Sequence, residues 1–126
     1  MVIGIGTDIV EVPRIAAKLA RDNGFRDLVF TPLEIAYCEK QASPAESFAA
    51  RFAAKEALLK ALGTGWGNNG GINFDHIEIR NDSYGKPELF LLHEGEARYR
   101  ELGIKKIWVS LSHEKGAAIA MVVLEG

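Results

Sequence analysis

The segment 47–65 constrains the fold more than any other part of the chain. Large apolar residues recur in it at spacings of three, four and seven positions, as they do along one face of a helix. These residues are Phe48, Phe52, Leu59 and Leu62. Alanines cover a second face, and Gly63 follows where a helix cap belongs. A helix that is apolar or small on nearly every side is normally buried. The segment therefore predicts one long central helix, closed by glycine, with the rest of the chain packed around it.

The same helix carries four charged residues, which is unusual for a buried element. They are Arg51, Lys55, Glu56 and Lys60. Lys55 falls inside the arc of large apolar side chains. Burying a charge is costly unless the group is paired. One long side chain can extend its charged end to water, but four charges together favour a bound ligand.

Composition is that of one ordinary globular domain, residues 1–126. The hydrophobic fraction is 48% and the charged fraction 25%, values that are typical of soluble proteins. A net charge of −2 argues against a general nucleic-acid binder. The chain has no apolar run of about 18 residues, which argues against a membrane span. The single cysteine, Cys38, fits a reducing compartment, and the first residues lack the pattern of a signal peptide, so we expect a cytoplasmic protein.

Apolar periodicity and turn residues predict an α+β chain, with helices mostly in the first half and antiparallel strands in the second. Helices are predicted within 13–23, 32–40, 47–65 and 93–102. Strands are predicted at 2–12, 76–80, 88–92, 104–112 and 117–124, the second and third of them paired as a hairpin. Thr31 and Glu34 have the spacing of a capping box, for which we expect a structural role only, and 41–46 is expected to be a link. The expected fold is a mostly antiparallel sheet packed against helices, one of them long and central.

Two carboxylates interrupt otherwise apolar elements and could hold a metal ion. Asp8 lies in the opening strand and Glu56 in the central helix. Without a histidine or cysteine pair beside them, they suit magnesium, which takes one or two carboxylates and completes its shell with water and substrate phosphates. A turn or capping role is the alternative for Asp8. The spacing of the three histidines and one cysteine does not favour zinc.

Basic and glycine residues near these acids suit a phosphorylated substrate. Arg51 can bind two oxygens at once, and Lys60 can act as a point charge. Gly63 and Thr64, followed by another glycine, would let the backbone approach a ligand closely, although the spacing of a P-loop is absent. His113, between a strand and a turn, either makes a local hydrogen bond or donates to a phosphate. The residues alone thus predict a magnesium-dependent enzyme that acts on a phosphorylated substrate.

A basic stripe lies on the first predicted helix. Arg14, Lys18 and Arg21 are spaced i, i+4 and i+7, with no acid between them on that face. Such a stripe is usually only a solvated surface. The alternative is that it binds an acidic partner helix, which the charge would steer onto it.

Three motifs resemble those of a known enzyme family. They are Gly-Ile-Gly-Thr-Asp-Ile-Val-Glu-Val-Pro-Arg-Ile at 4–15, Arg-Phe-Ala-Ala-Lys-Glu-Ala-Leu-Leu-Lys-Ala-Leu-Gly-Thr-Gly at 51–65 and Leu-Ser-His-Glu-Lys-Gly-Ala-Ala-Ile-Ala at 111–120. In length and motif order the whole chain resembles the small bacterial holo-acyl-carrier-protein synthases, which are 4′-phosphopantetheinyl transferases. The resemblance implies the fold of that family. It also implies transfer of 4′-phosphopantetheine from coenzyme A to a serine of apo acyl carrier protein, with release of adenosine 3′,5′-bisphosphate, in support of fatty acid biosynthesis.

The resemblance also implies roles for individual residues. Asp8 and Glu56 would hold magnesium on the pyrophosphate, with Lys60 as a third catalytic residue that reaches the same phosphates. Coenzyme A would be bound by Arg51, Lys60, Gly63, Thr64 and His113. The serine proton would pass to Glu56 directly or, preferably, to a water on the metal, because a ligating carboxylate is a weakened base.

Partners are implied as well. Family members of this size resemble homotrimers with active sites between protomers, so a neighbour could cover part of a helix that is apolar all round. The basic stripe of Arg14, Lys18 and Arg21 would bind the acidic helix of the carrier protein. The resemblance assigns no role to Lys55, for which coenzyme A and an acid of a neighbouring subunit are the candidate partners. Two other functions stay open at this point. One is a magnesium-dependent nucleotide phosphohydrolase, and the other is a non-enzymatic module that binds coenzyme A or a nucleotide.

Overall fold

The computed structural model describes residues 1–21, 23–63 and 72–126. Its helices are α1 (Val12–Ala20), α2 (Phe25–Val29), α3 (Pro32–Glu39), α4 (Pro44–Ala61) and α5 (Glu94–Glu101). Its strands are β1 (Val2–Glu11), β2 (Ile77–Asn81), β3 (Pro87–Leu91), β4 (Lys106–His113) and β5 (Ala117–Glu125). The predicted α+β class is confirmed. Among the helices described, none is both long enough and apolar enough to cross a membrane.

Two helix boundaries differ clearly from the predicted ones, and one short helix was not predicted. Helix α1 ends at Ala20, so Arg21 has extended backbone and does not continue the helical stripe. Helix α4 begins at Pro44, inside the predicted link, because Ser43 takes the N-cap position and proline suits the first turn. Helix α2 was not predicted, since five residues are too few for an apolar period to show.

The strands form two antiparallel sheets. The larger sheet has the order β1-β5-β4, and the hairpin β2-β3 forms the smaller one. Asp8 on β1 lies opposite Ala120 on β5, and His113 on β4 lies opposite Ala118 on the same strand. The inner face of the larger sheet packs against α4. Asp8 and His113 are thus carried by the two edge strands, on either side of β5.

Two glycines let β1 lie directly against the backbone of α4. A Cβ atom on Gly6 would stand 2.0 Å from the carbonyl oxygen of Ala57 and 2.7 Å from the backbone nitrogen of Ala61. A Cβ atom on Gly4 would stand 2.3 Å from the Ala61 carbonyl oxygen. Non-bonded carbon contacts are most favourable at about 3.5–4.0 Å. The glycines of β1 and the alanines of α4 therefore allow the strand and the helix to pack with their backbones in contact.

Helix α4 is buried from residue 47 to residue 59 by the rest of its own chain. Phe48, for example, packs edge-on against Phe30 with ring centroids 4.9 Å apart. Gly63 follows the helix with φ of 75°, the left-handed conformation expected of a glycine cap. The predicted buried central helix is confirmed. The suggestion that a neighbouring subunit covers part of it was wrong for these thirteen positions, because the sheet and the preceding helices already do so.

The outer face of the larger sheet is apolar and exposed. Its large side chains are between 45% and 67% accessible to solvent. They are Ile5, Ile9, Trp108, Ile119 and Met121. They come from all three strands, with Ile9 directly opposite Ile119. A contiguous apolar patch on a protein surface usually marks an interaction site.

Candidate active site

Asp8, Lys60 and Glu56 form a first group of functional residues where β1 meets the C-terminal half of α4. Lys60 Nζ donates hydrogen bonds to Asp8 Oδ1 at 2.8 Å and to the carbonyl oxygen of Thr7 at 3.1 Å. The side chain of Asp8 is 15% exposed and that of Lys60 is 54% exposed. The Asp8 carboxylate is therefore mostly buried, whereas the Lys60 side chain is accessible to solvent.

Glu56, one helical turn before Lys60, is buried with one oxygen unsatisfied. Its Oε1 has no hydrogen-bond partner among the residues that the structure describes. Burial, followed by the charge of Asp8, raises the pKa of Glu56 to about 7. A buried carboxylate oxygen without a partner is costly, and a second carboxylate that acts on it adds repulsion. Both costs would be relieved by a cation held by Asp8 and Glu56.

The donor set of this group suits magnesium. Within the described part of the chain, no group of three or more histidine, cysteine, aspartate or glutamate side chains could hold a metal ion. Two carboxylates would leave most of an octahedral shell to water and to substrate phosphates, which is how magnesium is commonly bound. The residues present therefore fit the ion that the sequence predicts.

Part of the basic stripe lies beside the acid pair. The positive charges of Lys60, Arg14 and Lys18 oppose the larger effects of burial and of Asp8 on the pKa of Glu56. Helix α1 thus brings two members of the stripe into the electrostatic environment of the acids. Arg21, the third member, lies past the end of α1 and is exposed.

Arg51 and His113 belong to a second group, which lines a cavity of about 360 Å³. The guanidinium of Arg51 stacks on Tyr37, 4.3 Å from the ring centroid, and donates to Asn81 Oδ1. Its Nε is buried and has no hydrogen-bond partner within the described residues. His113 Nδ1 lies 2.9 Å from Glu46 Oε1. A planar guanidinium and an imidazole on one cavity wall are suited to an anionic ligand such as a phosphate.

One chain does not bring the two groups together. Asp8 is on β1 and His113 on β4, at opposite edges of the larger sheet. Arg51 and Glu56 are five positions apart on α4, which places them about 140° apart around the helix axis. The predicted site residues of one chain therefore form two separate groups on different sides of the helix.

The segment after α4 is described only in part. Among the residues that the structure describes, none comes within 4 Å of a Cβ atom placed on Gly63. Thr64, also predicted to bind coenzyme A, lies outside the described residues. Its role stays a prediction.

Lys55, the charge inside the apolar arc, is structural. Its ammonium is fully buried and donates to Glu34 Oε1 and to the carbonyl oxygen of Val29, both at 2.7 Å, and to the carbonyl oxygen of Phe74 at 3.0 Å. An ammonium has three N–H groups, and all three are used within the chain. The expectation that Lys55 serves coenzyme A or a neighbour's acid was wrong for this reason.

Glu34 connects this buried lysine to the start of α3. The Thr31 hydroxyl accepts from the Glu34 backbone N–H while the Glu34 carboxylate accepts from the Thr31 backbone N–H, so the predicted capping box is confirmed. The other carboxylate oxygen accepts from the backbone N–H of Ile79 at 2.9 Å. One glutamate thus joins α3, α4 and β2.

Several residues that contact Arg51, Lys55 or His113 were not predicted from the sequence. They are Glu34, Tyr37, Glu46 and Asn81. Glu34 was assigned to a helix cap alone, and Glu46 looks like an ordinary acid in the first turn of a helix. Tyr37 and Asn81 meet Arg51 only through the tertiary fold. No local pattern signals such contacts.

The amino-acid sequence is similar to those of a known family. Residues 4–122 match the family model described as the 4′-phosphopantetheinyl transferase superfamily. The chain is 46% identical over 126 residues to the holo-[acyl-carrier-protein] synthase of Geotalea daltonii, covering 99% of both chains. It is 49% identical over 124 residues to that of Ruminiclostridium cellulolyticum, covering 95% of this chain and 90% of the relative.

Solved structures give the same result for the fold. The holo-[acyl-carrier-protein] synthase of Neisseria meningitidis superimposes with a TM-score of 0.89 at 38% identity, over 100% of both chains. The synthase of Bacillus anthracis, solved in complex with CoA (3′,5′-ADP), superimposes with a TM-score of 0.80 at 38% identity, over 100% of this chain and 98% of that one. The predicted fold class is confirmed. This chain belongs to the 4′-phosphopantetheinyl transferase superfamily.

Proposed function

We propose that the chain is a holo-[acyl-carrier-protein] synthase. It transfers 4′-phosphopantetheine from coenzyme A to a serine of apo acyl carrier protein and releases adenosine 3′,5′-bisphosphate. The observation that carries this proposal is full-length similarity to proteins of that name, combined with an acid pair and a basic cavity suited to a pyrophosphate substrate. In the reaction, the serine oxygen forms a bond to the β-phosphorus while the bond from that phosphorus to the bridging oxygen breaks. The bridging oxygen stays with adenosine 3′,5′-bisphosphate, and the hydroxyl proton passes to Glu56 or to water.

Asp8, Glu56 and Lys60 are the proposed catalytic residues. Asp8 and Glu56 would hold magnesium, which neutralises charge on the pyrophosphate when it is bound. Lys60 is exposed enough to leave Asp8 and donate to a phosphate oxygen. Phosphoryl transfer depends mainly on positioning and on charge stabilisation. The buried carboxylates and the accessible ammonium are arranged for these two tasks.

The cavity lined by Arg51 and His113 is proposed as the second contact region for coenzyme A, together with Gly63 and Thr64. Arg51 is held by Tyr37 and Asn81 before any ligand binds. A cation that is already oriented loses less entropy on binding a phosphate. Arg51 and the other residues of this cavity therefore contribute affinity for coenzyme A.

We also propose a homotrimer with active sites between protomers. Two features support it. The outer face of the larger sheet is apolar and exposed, and the two groups of predicted site residues lie on different sides of α4. A complete site would combine Asp8, Glu56 and Lys60 of one protomer with Arg51 and His113 of the partner subunit.

Ile9→Asp, on the outer sheet face, should therefore lower the molar mass measured by light scattering and abolish transfer while the circular dichroism spectrum is retained. A trimer that persists in this variant would contradict the proposed interface.

Arg14, Lys18 and Arg21 are proposed to bind the acidic helix of the carrier protein. Arg14 and Lys18 lie close enough to Glu56 to affect its pKa, so a protein bound on this stripe would present its serine near the acid pair. We further propose that residues 1–126 work as a single phosphopantetheinyl transferase domain in the cytoplasm, in support of fatty acid biosynthesis.

The direct test is the intact mass of apo acyl carrier protein after incubation with coenzyme A, magnesium and the enzyme. A gain of one phosphopantetheine, absent with Asp8→Asn and Glu56→Gln, is expected. Release of phosphate without carrier protein would indicate a nucleotide phosphohydrolase instead. Bound coenzyme A with no mass gain would indicate a binding module. Omission of magnesium, followed by its addition after chelation, tests the metal requirement.

A further inference from the structure

The first turn of α4 places a carboxylate against the histidine of the basic cavity. Glu46 Oε1 lies 2.9 Å from His113 Nδ1, and both residues line the cavity that contains Arg51. The side chain of Glu46 is 20% exposed, and that of His113 is 45% exposed. The glutamate is therefore the less exposed member of the pair.

The chemistry of this contact determines which ring nitrogen faces a ligand. Hydrogen bonds from His113 and then from Ser43 lower the pKa of Glu46, so its carboxylate stays ionised near neutral pH. An ionised carboxylate can only accept hydrogen bonds. The contact therefore uses an N–H on Nδ1, and Nε2 is the ring atom left for a ligand in the cavity. In the protonated ring both nitrogens donate, so that Nδ1–H binds Glu46 while Nε2–H is free to donate to a phosphate oxygen.

We propose that Glu46 is a positioning residue, which orients the His113 imidazole so that Nε2 addresses a phosphate of coenzyme A. This inference rests on the proposed assignment of the Arg51–His113 cavity to coenzyme A. His113 is the last residue of β4 and precedes a turn, so the strand alone does not hold its ring. Glu46 belongs to a long buried helix, which is a rigid support. At metal sites a carboxylate on the far nitrogen likewise fixes the orientation of a ligand-binding histidine, and beside a phosphate the same carboxylate favours the protonated ring, whose Nε2–H can donate.

Steady-state kinetics with the full-length enzyme test the functional half of the proposal. Glu46→Ala should raise the KM for coenzyme A about tenfold, the effect of losing one well-placed charged hydrogen bond, with kcat within about twofold of the parent value. Glu46→Gln keeps an acceptor oxygen and should have a smaller effect. In a His113→Ala background, Glu46→Ala should change nothing more, because the glutamate acts through the ring. Glu96→Ala is the matched control, since it removes a carboxylate from an exposed pair with Arg100 on α5.

Nitrogen NMR of the imidazole rings tests the structural half without any substrate. The chain has only three histidines, and His113→Ala assigns the signal. At alkaline pH the parent protein should show the proton of the neutral His113 ring on Nδ1, and Glu46→Ala should shift it toward the Nε2 form that is usual for an unconstrained ring. Circular dichroism confirms that each variant is folded.

The possible outcomes distinguish the assignment of the cavity to coenzyme A from the positioning role of Glu46. If His113→Ala leaves the KM for coenzyme A unchanged, the cavity assignment fails and Glu46 has no role in binding. If His113→Ala raises this KM but Glu46→Ala does not, or if the Nδ1–H tautomer persists without Glu46, the positioning role is refuted and the proposed function stands.

Discussion

Lys55 and Lys60 lie on the same helix but should respond to substitution in opposite ways. Lys55→Met removes the ammonium that pairs with the buried Glu34 and donates to two backbone carbonyls, those of the buried Val29 and the partly buried Phe74. Breaking a buried pair by removing one partner costs about 3–5 kcal/mol. With unfolding entropies of about 2.1 cal/mol/K per residue, a loss of about 4 kcal/mol lowers the melting temperature of a chain of this length by about 15 °C.

Lys60→Met is the matched control. The Lys60 side chain is 54% exposed, and its ion pair with Asp8 is accessible to water, so the free energy of unfolding should change by about 0.5 kcal/mol or less. Transfer activity should nevertheless be lost. Lys55→Met should instead leave the KM for coenzyme A unchanged at temperatures where the variant is fully folded.

Denaturant unfolding and steady-state kinetics at low temperature measure the two effects. A double-mutant cycle with Glu34→Met should give a coupling energy of about 2 kcal/mol or more, because the two residues are in contact. The structural assignment of Lys55 would be refuted by a loss of stability below about 1 kcal/mol together with a raised KM for coenzyme A. That result would restore its role as a ligand-binding residue.

Substitutions at the acid pair, the glycine contact and the basic stripe distinguish stability from function in other ways. The pKa of Glu56 in the folded protein, about 7, lies above the ordinary value of 4.5. Between these two pH values the folded state therefore binds more protons at Glu56 than the unfolded state does. The free energy of unfolding should fall as pH rises through this window. When thermal unfolding without metal is followed across this pH range, Glu56→Gln should reduce the dependence of stability on pH and raise the melting temperature at pH 8. The same variant should abolish transfer. Gly6→Ala should cost about 2 kcal/mol or more, because its Cβ would overlap the Ala57 carbonyl oxygen, and should weaken magnesium activation by displacing Asp8. Gly103→Ala, at φ of 73° in open space, should cost about 1 kcal/mol without affecting activity. Arg14→Glu with Arg21→Glu should raise the KM for the carrier protein and leave that for coenzyme A nearly unchanged, and equal effects on both would contradict a docking role.

The order and type of nearly all elements were predictable from the sequence, because their patterns are local. The apolar period and the glycine cap of α4, the capping box of α3 and the alternation of the strands each lie within one segment. The boundaries were less accurate where tertiary context extends or shortens a helix, as at Pro44 and at Ala20. The five-residue helix α2 was missed altogether, since it contains little more than one turn.

The pairing of charges was not predictable in the same way. Lys55 and Glu34 are 21 positions apart, and Glu46 and His113 are 67 positions apart. No local period reports a contact over such separations. For the same reason, the four charges of the predicted segment 47–65 appeared as one set in the sequence. In the fold, Lys55 belongs to a buried structural pair, and the other three charges divide between the two groups of predicted site residues.

The sequence by itself determined that a buried central helix carries unusual charges, and its motifs resembled those of the phosphopantetheinyl transferases. Only the tertiary structure decided what each charge does. Glu56 lies beside Asp8 because two glycines let β1 approach α4 at backbone distance, and Arg51 lies against Tyr37 and Asn81 because it projects from another side of the same helix. The physical reason is that a charge acquires its role from desolvation and from its partners, and both depend on how distant segments pack.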